Sequence, residues 1–196
     1  RYKKDPAGIS VLPARRKPDT EFYAARNRGI EAARGAILAF TDSDCLVTPQ
    51  WLREGVAALK DNVDLAGGAV EFFMEGKRSF AQIYDSMTAM RNEDYIARAQ
   101  RAVTANLFVK KDVFTKIGPF LLHAQSGEDM RWSLQAVKEG FCLAFAPRAV
   151  VLHPARDFRG LLKKGFRVGM GLREIWRQQE MPGWRVAYEV VRLLIR

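Results

Sequence analysis

Asp42 and Asp44 stand one residue apart in Thr41-Asp42-Ser43-Asp44, directly after the apolar run Ala36-Ile-Leu-Ala-Phe40. The run has no helical stripe, so it reads as a strand from Ala36 to Thr41, covered on both faces. Thr48-Pro49 then resembles an N-cap followed by proline at the first helical position. The order strand, acidic turn, helix puts both carboxylates beyond the carboxyl end of a strand, where open α/β sheets bind ligands. A divalent cation with hard oxygen ligands would hold two such carboxylates together. A solvated Asp-Ser-Asp turn is the other reading of the same residues.

A second pair, Glu128-Asp129, follows Gly127 at the start of a predicted helix ending near Glu139. A carboxylate there could accept a proton from an attacking hydroxyl. First-turn acids also favour a helix through its dipole, with no chemistry required. His153 ends the run Val150-Val151-Leu152 just before Pro154, and an isolated histidine there can be a ligand, structural or solvated. His123 has no motif around it.

The flanks decide between these readings. Ala24-Ala25-Arg26-Asn27-Arg28-Gly29-Ile30-Glu31-Ala32-Ala33-Arg34-Gly35 runs into Phe40-Thr41-Asp42-Ser43-Asp44, and Gly127-Glu128-Asp129, Gly140-Phe141, Ala146-Pro147 and His153 follow in order. Together they resemble the family 2 glycosyltransferases of the GT-A fold, over about residues 9 to 160. The resemblance implies a Rossmann-like α/β domain with a mixed, mostly parallel sheet flanked by helices. It implies a metal-dependent inverting transferase that moves a sugar from a nucleotide-diphosphate donor to an acceptor hydroxyl on a carbohydrate or lipid-linked acceptor, in cell-envelope, polysaccharide or glycolipid synthesis. The cofactor would be Mn2+ or Mg2+. Asp44 would be the direct metal ligand, Asp42 would contact the ribose or the metal, and His153 would lie by the metal or diphosphate. Arg26 and Asn27 would reach the nucleotide. Asp129 would be the catalytic base, with Glu128 orienting the acceptor or tuning that base. The family normally opens with a strand–helix–strand unit that grips the base, so this chain is expected to enter the fold near its third strand. No Gln-x-x-Arg-Trp segment occurs, so a single transfer is expected.

Other elements must position these groups. Helices are expected over Phe22–Arg34, capped by Asp19 or Thr20, and over Pro49–Lys60 with Trp51, Leu52, Val56 and Leu59 inward. Strands are expected over Ile9–Leu12, Leu65–Val70, Val103–Val109 with Asn106, Phe141–Ala146 and Ala149–Leu152. Gly67-Gly68 marks a bulge or a close approach. Lys111–Ile117 is a short helix stopped by Gly118-Pro119. In the 128–139 helix, Met130, Leu134 and Val137 should face inward. Phe72, Phe73, Phe80, Ile83, Tyr84 and Met87 could cover the site as a loop and helix.

At 196 residues and 48% hydrophobic, the chain can build one core. We read residues 1–155 as the catalytic domain and 156–196 as a basic, amphipathic helical tail. The net charge of +10 lies at the ends: residues 156–196 hold 10 Lys/Arg against 4 Asp/Glu, while 21–155 balance at 16 against 16. Basic ends suit a membrane surface or a diphosphate. Phe158, Leu162, Phe166, Leu172 and Trp176 make an apolar stripe, Pro182-Gly183 breaks it, and Trp184–Arg196 is apolar on most sides. Peripheral membrane contact, packing on the domain and a homodimer contact all fit this tail. Cys45 and Cys142 are too few for a disulfide framework and read as buried thiols of a reducing, cytoplasmic compartment, including the inner face of the cell membrane. A nucleotidyltransferase of related fold would use the same paired acids. A nucleic-acid-binding module is the non-enzymatic rival, but no basic-aromatic stripe supports a nucleic-acid partner.

Overall fold

A computed structural model describes residues 3–4, 10–11, 22–74, 76, 78–122, 126–178 and 182–184. Asp19, Thr20, His123 and the segment 185–196 lie outside them. Two short strands, β1 (Lys3–Lys4) and β2 (Ser10–Val11), pair antiparallel. The chain then forms α1 (Phe22–Ala32), β3 (Ile37–Thr41), β4 (Leu46–Val47), α2 (Trp51–Ala57), β5 (Leu65–Phe73), α3 (Phe80–Thr88) and α4 (Asn92–Ala99). Next come β6 (Asn106–Lys110), α5 (Lys111–Ile117), α6 (Glu128–Lys138), β7 (Leu143–Pro154) and α7 (Phe158–Gln178).

Five strands make one sheet in the order β3-β6-β5-β7-β4. The mixed α/β architecture is as expected, but its parallel share is smaller. β5 and β7 are parallel, while β3/β6, β5/β6 and β4/β7 are antiparallel. The reason lies in the connection after β5. Two helices, α3 and α4, are inserted before β6, and the chain re-enters the sheet at the end where β5 left it. β3 is also not covered on both faces. It pairs with β6 alone, and of its residues only Leu38 is buried.

Strand alternation builds a core on each face of the sheet. Leu65, Leu107 and Val109 face Tyr23, Ile30, Val113, Phe114, Phe120 and Trp132. Ala66, Phe108 and Val151 face Trp51 and Leu59. In α2, Leu52 and Val56 are exposed rather than inward, and the helix is capped by Gln50. The Thr48 hydroxyl instead donates to the Val150 carbonyl at 3.0 Å. In α6 the buried face is Trp132, Ser133 and Ala136; of the expected Met130, Leu134 and Val137, Val137 packs against this core. Trp132 sets that phase by stacking on Phe114 at 4.2 Å and donating to the Gly118 carbonyl. Phe80, Tyr84 and Met87 on α3 are exposed.

Gly67-Gly68 serve both expected purposes. The β5/β7 register shifts between Gly68 and Ala69, from Gly68↔Ala146 to Ala69↔Val150. A Cβ on Gly68 would lie 2.3 Å from the Ala149 carbonyl oxygen. The bulge leaves backbone groups that Asn106 satisfies. Its Nδ2 donates to the Ala69 and Ala149 carbonyls, both at 2.7 Å, and its Oδ1 accepts from Trp51 Nε1 at 2.9 Å. Asn106→Ala is expected to destabilise the fold by about 3 kcal/mol or more, since three buried partners lose their bonds at about 1–3 kcal/mol each. Denaturant unfolding monitored by tryptophan fluorescence measures this, and a loss below about 1 kcal/mol would contradict it.

Candidate active site

The candidate residues gather at one sheet edge because of strand direction. Thr41 pairs with Asn106, so the end of β3 and the start of β6 coincide. Phe72 of β5 pairs with His153 of β7 beyond the bulge, which brings the end of β7 to the same edge. Asp42, Asp44, Thr104 and His153 all follow or precede these strand ends.

The two acids of the turn part company. The Cys45 N–H donates to the Asp42 carbonyl at 3.1 Å, which closes a tight turn over Asp42–Cys45. Asp42 Oδ1 accepts from Arg26 Nη2 at 2.9 Å, and the Arg26 guanidinium lies 5.3 Å from the Tyr23 ring centroid. Asp44 swings the other way, and its Oδ2 lies 3.7 Å from Nε2 of His153. Asp44, Cys45 and His153 each bring one ligand atom within 4.8 Å of the others. Asp42 is not in that group, and its carboxylate faces Arg26.

His153 is buried, and its ring stands 5.4 Å from that of Phe72. Its Nδ1 lies 2.7 Å from the Pro154 carbonyl, which can only accept, so Nδ1 carries the proton. Nε2 then holds a lone pair, which faces Arg156 Nη2 at 3.2 Å. Burial, followed by the repulsion of Asp42 and Asp44, pushes the Cys45 thiol up despite a hydrogen bond from Thr41. The donor set is therefore the carboxylate of Asp44 and the imidazole of His153, with the Cys45 sulfur beside them. That chemistry fits a cation that accepts oxygen and nitrogen, such as Mn2+.

The Glu128-Asp129 pair also divides. Glu128 is buried, its carboxylate held by Arg131 through Nε and Nη2, both at 2.6 Å, and by the Leu121 N–H at 2.8 Å. It ties the start of α6 to the loop at Leu121. Asp129 Oδ2 accepts from the Thr104 N–H at 3.0 Å and its hydroxyl at 3.1 Å. Asp129 Oδ1 accepts from the Met130 N–H at 3.0 Å and from the Tyr23 hydroxyl at 3.5 Å. Burial, then the Asp129 charge, holds the Tyr23 phenol well above its ordinary range, so it stays a donor. Asn27 clips the backbone of Phe120 with its side-chain amide. Its Nδ2 donates to the Phe120 carbonyl at 2.7 Å and its Oδ1 accepts the Phe120 N–H at 3.0 Å.

The sequence reading missed Asp85, Arg156 and Lys164. Asp85 is fully buried, and accepts from the Arg156 N–H at 3.0 Å, Arg156 Nη1 at 3.2 Å and Lys164 Nζ at 3.0 Å. A lone acid inside the apolar stretch Phe80–Met87 was the available signal.

The sequence matches the family model described as Glycosyl transferase family 2 over residues 3–117. The chain belongs to glycosyl transferase family 2. Glycosyltransferase AglE of Haloferax volcanii is 47% identical over 155 residues, 79% of this chain and 51% of that protein. The putative glycosyltransferase EpsH of Bacillus subtilis is 37% identical over 75 residues, 37% of this chain and 22% of that protein. The chain thus spans about half the length of AglE and less of EpsH. Among solved structures, the mannosyltransferase PcManGT from Pyrobaculum calidifontis in complex with GDP-Man and Mn2+ superposes with a TM-score of 0.59 at 20% identity, over 82% of this chain and 44% of that one. GalNAc-T7 with UDP, GalNAc and Mn2+ gives 0.51 at 20% identity, over 69% and 30%. These likenesses establish the GT-A fold for this family member.

Asp85 also sets a pH dependence. Burial alone would raise its pKa, but the hydrogen bonds from the Arg156 N–H and Lys164, with the charges of Lys164 and Arg156, outweigh burial and lower it. A depressed carboxyl stabilises the fold above its unfolded pKa of about 4, and that contribution is lost as pH falls through the folded value. Asp85→Asn is therefore expected to be less stable than wild type at pH 7, with the gap closing below about pH 4. Thermal unfolding from pH 2.5 to 7 measures the gap, and a pH-independent gap would contradict this.

Proposed function

We propose that this chain carries the catalytic centre of a metal-dependent, inverting glycosyltransferase. The donor would be a sugar linked to a nucleoside diphosphate, and the acceptor a hydroxyl on a carbohydrate or lipid-linked molecule of the cell envelope. The observation that carries this reading is the placement of Asp44 against His153 at the sheet edge, 3.7 Å apart, in a family 2 chain. Asp44 and His153 would hold Mn2+ or Mg2+, and the imidazole nitrogen favours Mn2+. A bound cation would offset the charge that develops on the departing diphosphate. The neighbours' own complexes, GDP-Man with Mn2+ and UDP with Mn2+, support the choice of ligand class.

Asp129 supplies the base. Both lone pairs of Oδ2 are taken by Thr104, whereas Oδ1 is held closely only by the Met130 N–H. Oδ1 is thus the oxygen with capacity to take the acceptor proton. Tyr23 and Thr104 keep the carboxylate oriented. Arg26 holds Asp42 beside the nucleotide rather than on the cation.

Paired variants test these roles. Asp44→Asn is expected to abolish manganese-dependent binding of the sugar nucleotide, measured by calorimetry, with the fold intact. Asp129→Asn is expected to bind donor as wild type but to turn over at least about a hundredfold more slowly. Assay products should be a free nucleoside diphosphate and an inverted glycoside. Release of pyrophosphate would point to nucleotidyl transfer, and normal turnover by Asp129→Asn would move the base elsewhere.

The tail, we further propose, meets a membrane surface. On α7, Phe158, Leu162 and Phe166 are 66%, 59% and 75% exposed, with Arg159 and Lys163 exposed between them. No helix among the described residues is long and apolar enough to cross a membrane. An exposed apolar ridge flanked by bases suits an interfacial position. Flotation with anionic liposomes is expected for wild type and to be lost when Phe158, Leu162 and Phe166 are all changed to serine. Equal flotation of both would remove the membrane role.

A further inference from the structure

Asp85 is a buried acid with two cationic partners, although Lys164 alone would balance its charge. Lys164 meets Oδ1 at 3.0 Å, while Arg156 meets Oδ2 twice, through its backbone N–H and through Nη1. That double anchor fixes one side of the guanidinium. The other terminal nitrogen, Nη2, is left at 3.2 Å from Nε2 of His153. Nε2 carries the lone pair, because Nδ1 donates to the Pro154 carbonyl. A cation bound by Asp44 and His153 would need that same lone pair. Two positive groups cannot share it, and close like charges repel.

We propose that Arg156 works between two stations, resting on the metal and donor reading given above. Without metal it caps Nε2 of His153. When a cation takes Nε2, Nη2 is released to the diphosphate of the donor, while Nη1 stays on Asp85. Arg156 is then a donor-binding residue that is set by a buried anchor, and Asp85 is the positioning residue that acts through it. The surplus positive charge of the Asp85–Arg156–Lys164 cluster is thereby available to an anion. Arginine suits this task because its planar fork can hold a carboxylate on one edge and a phosphate on another.

The test is a pair of affinities that should move in opposite directions. Mn2+ is titrated into wild type and Arg156→Met without nucleotide, and UDP and GDP are then titrated at saturating Mn2+. Arg156→Met is expected to bind Mn2+ tighter by about threefold or more, since a competing positive charge is gone. It should bind whichever nucleotide wild type prefers about tenfold or more weakly, the loss of a charge-assisted hydrogen bond. Arg156→Lys, which keeps the charge but not the fork, should recover wild-type Mn2+ affinity and only part of the nucleotide affinity. If Arg156→Met does not fold, Arg156→Lys carries the test, and nucleotide affinity equal to wild type would overturn the proposal. A merely structural arginine would lower both affinities or neither, and either result overturns it. Failure of wild type to bind Mn2+ would bring down the metal reading and this proposal together. Mn2+ binding by wild type with no gain in Arg156→Met would bring down the proposal alone.

Discussion

The site depends on one buried amide. The break in the β5/β7 register leaves Pro147, Arg148 and Ala149 without partners on β5. A bulge in the middle of a sheet exposes carbonyls that water cannot reach, and each unpaired group is costly. Asn106 sits beside the break and satisfies the Ala69 and Ala149 carbonyls with one NH2 group. Trp51 fixes the amide from the other face, and Asn92 fixes the Asn106 carbonyl from α4. The glycines are needed because Asn106 fills the place where a side chain at Gly68 would stand. Beyond the bulge the register is reset so that His153 pairs with Phe72 and ends at the edge where β3 delivers Asp44. A different register would turn the imidazole to the other face of the sheet.

The charges around that edge form an alternating line. Lys164, Asp85, Arg156, His153 and Asp44 follow one another at 3.0 to 3.7 Å. Asp85 has no solvent to stabilise it, so removing both cations would leave a buried carboxylate uncompensated. The line also ties α3 and α7 to the end of β7. Helices with few buried apolar residues of their own are thus fixed to the site by charge: on α3 the one residue fully removed from water is Asp85.

Much of this was legible in the chain, in a particular way. Local signals carried the acid pairs to strand and helix ends, the bulge to Gly67-Gly68, and the stop at Gly118. What failed needed long-range register. The clip that Asn27 makes on Phe120, 93 residues away, leaves no local signal. The phase of α6 follows Trp132, whose stacking on Phe114 outweighs the apolar pull of Met130 and Leu134. Asp85 makes sense only with Arg156, 71 residues later. The antiparallel β6 could not be read because two helices between strands look, in sequence, like an ordinary crossover.

The acid pairs follow one rule that the sequence does not state. In each, one carboxylate is given to an arginine and the other is not. Asp42 goes to Arg26 and Glu128 to Arg131, while Asp44 faces His153 and Asp129 is held by the neutral donors of Thr104, Met130 and Tyr23. Two unpaired carboxylates this close in sequence would repel, and both would want the same counter-charge. A turn divides the first pair, and the roughly 100° step between helical neighbours divides the second. Pairing one member removes the repulsion and locks the backbone from which the other projects. The arginine partners thus help set where the other acid of each pair stands.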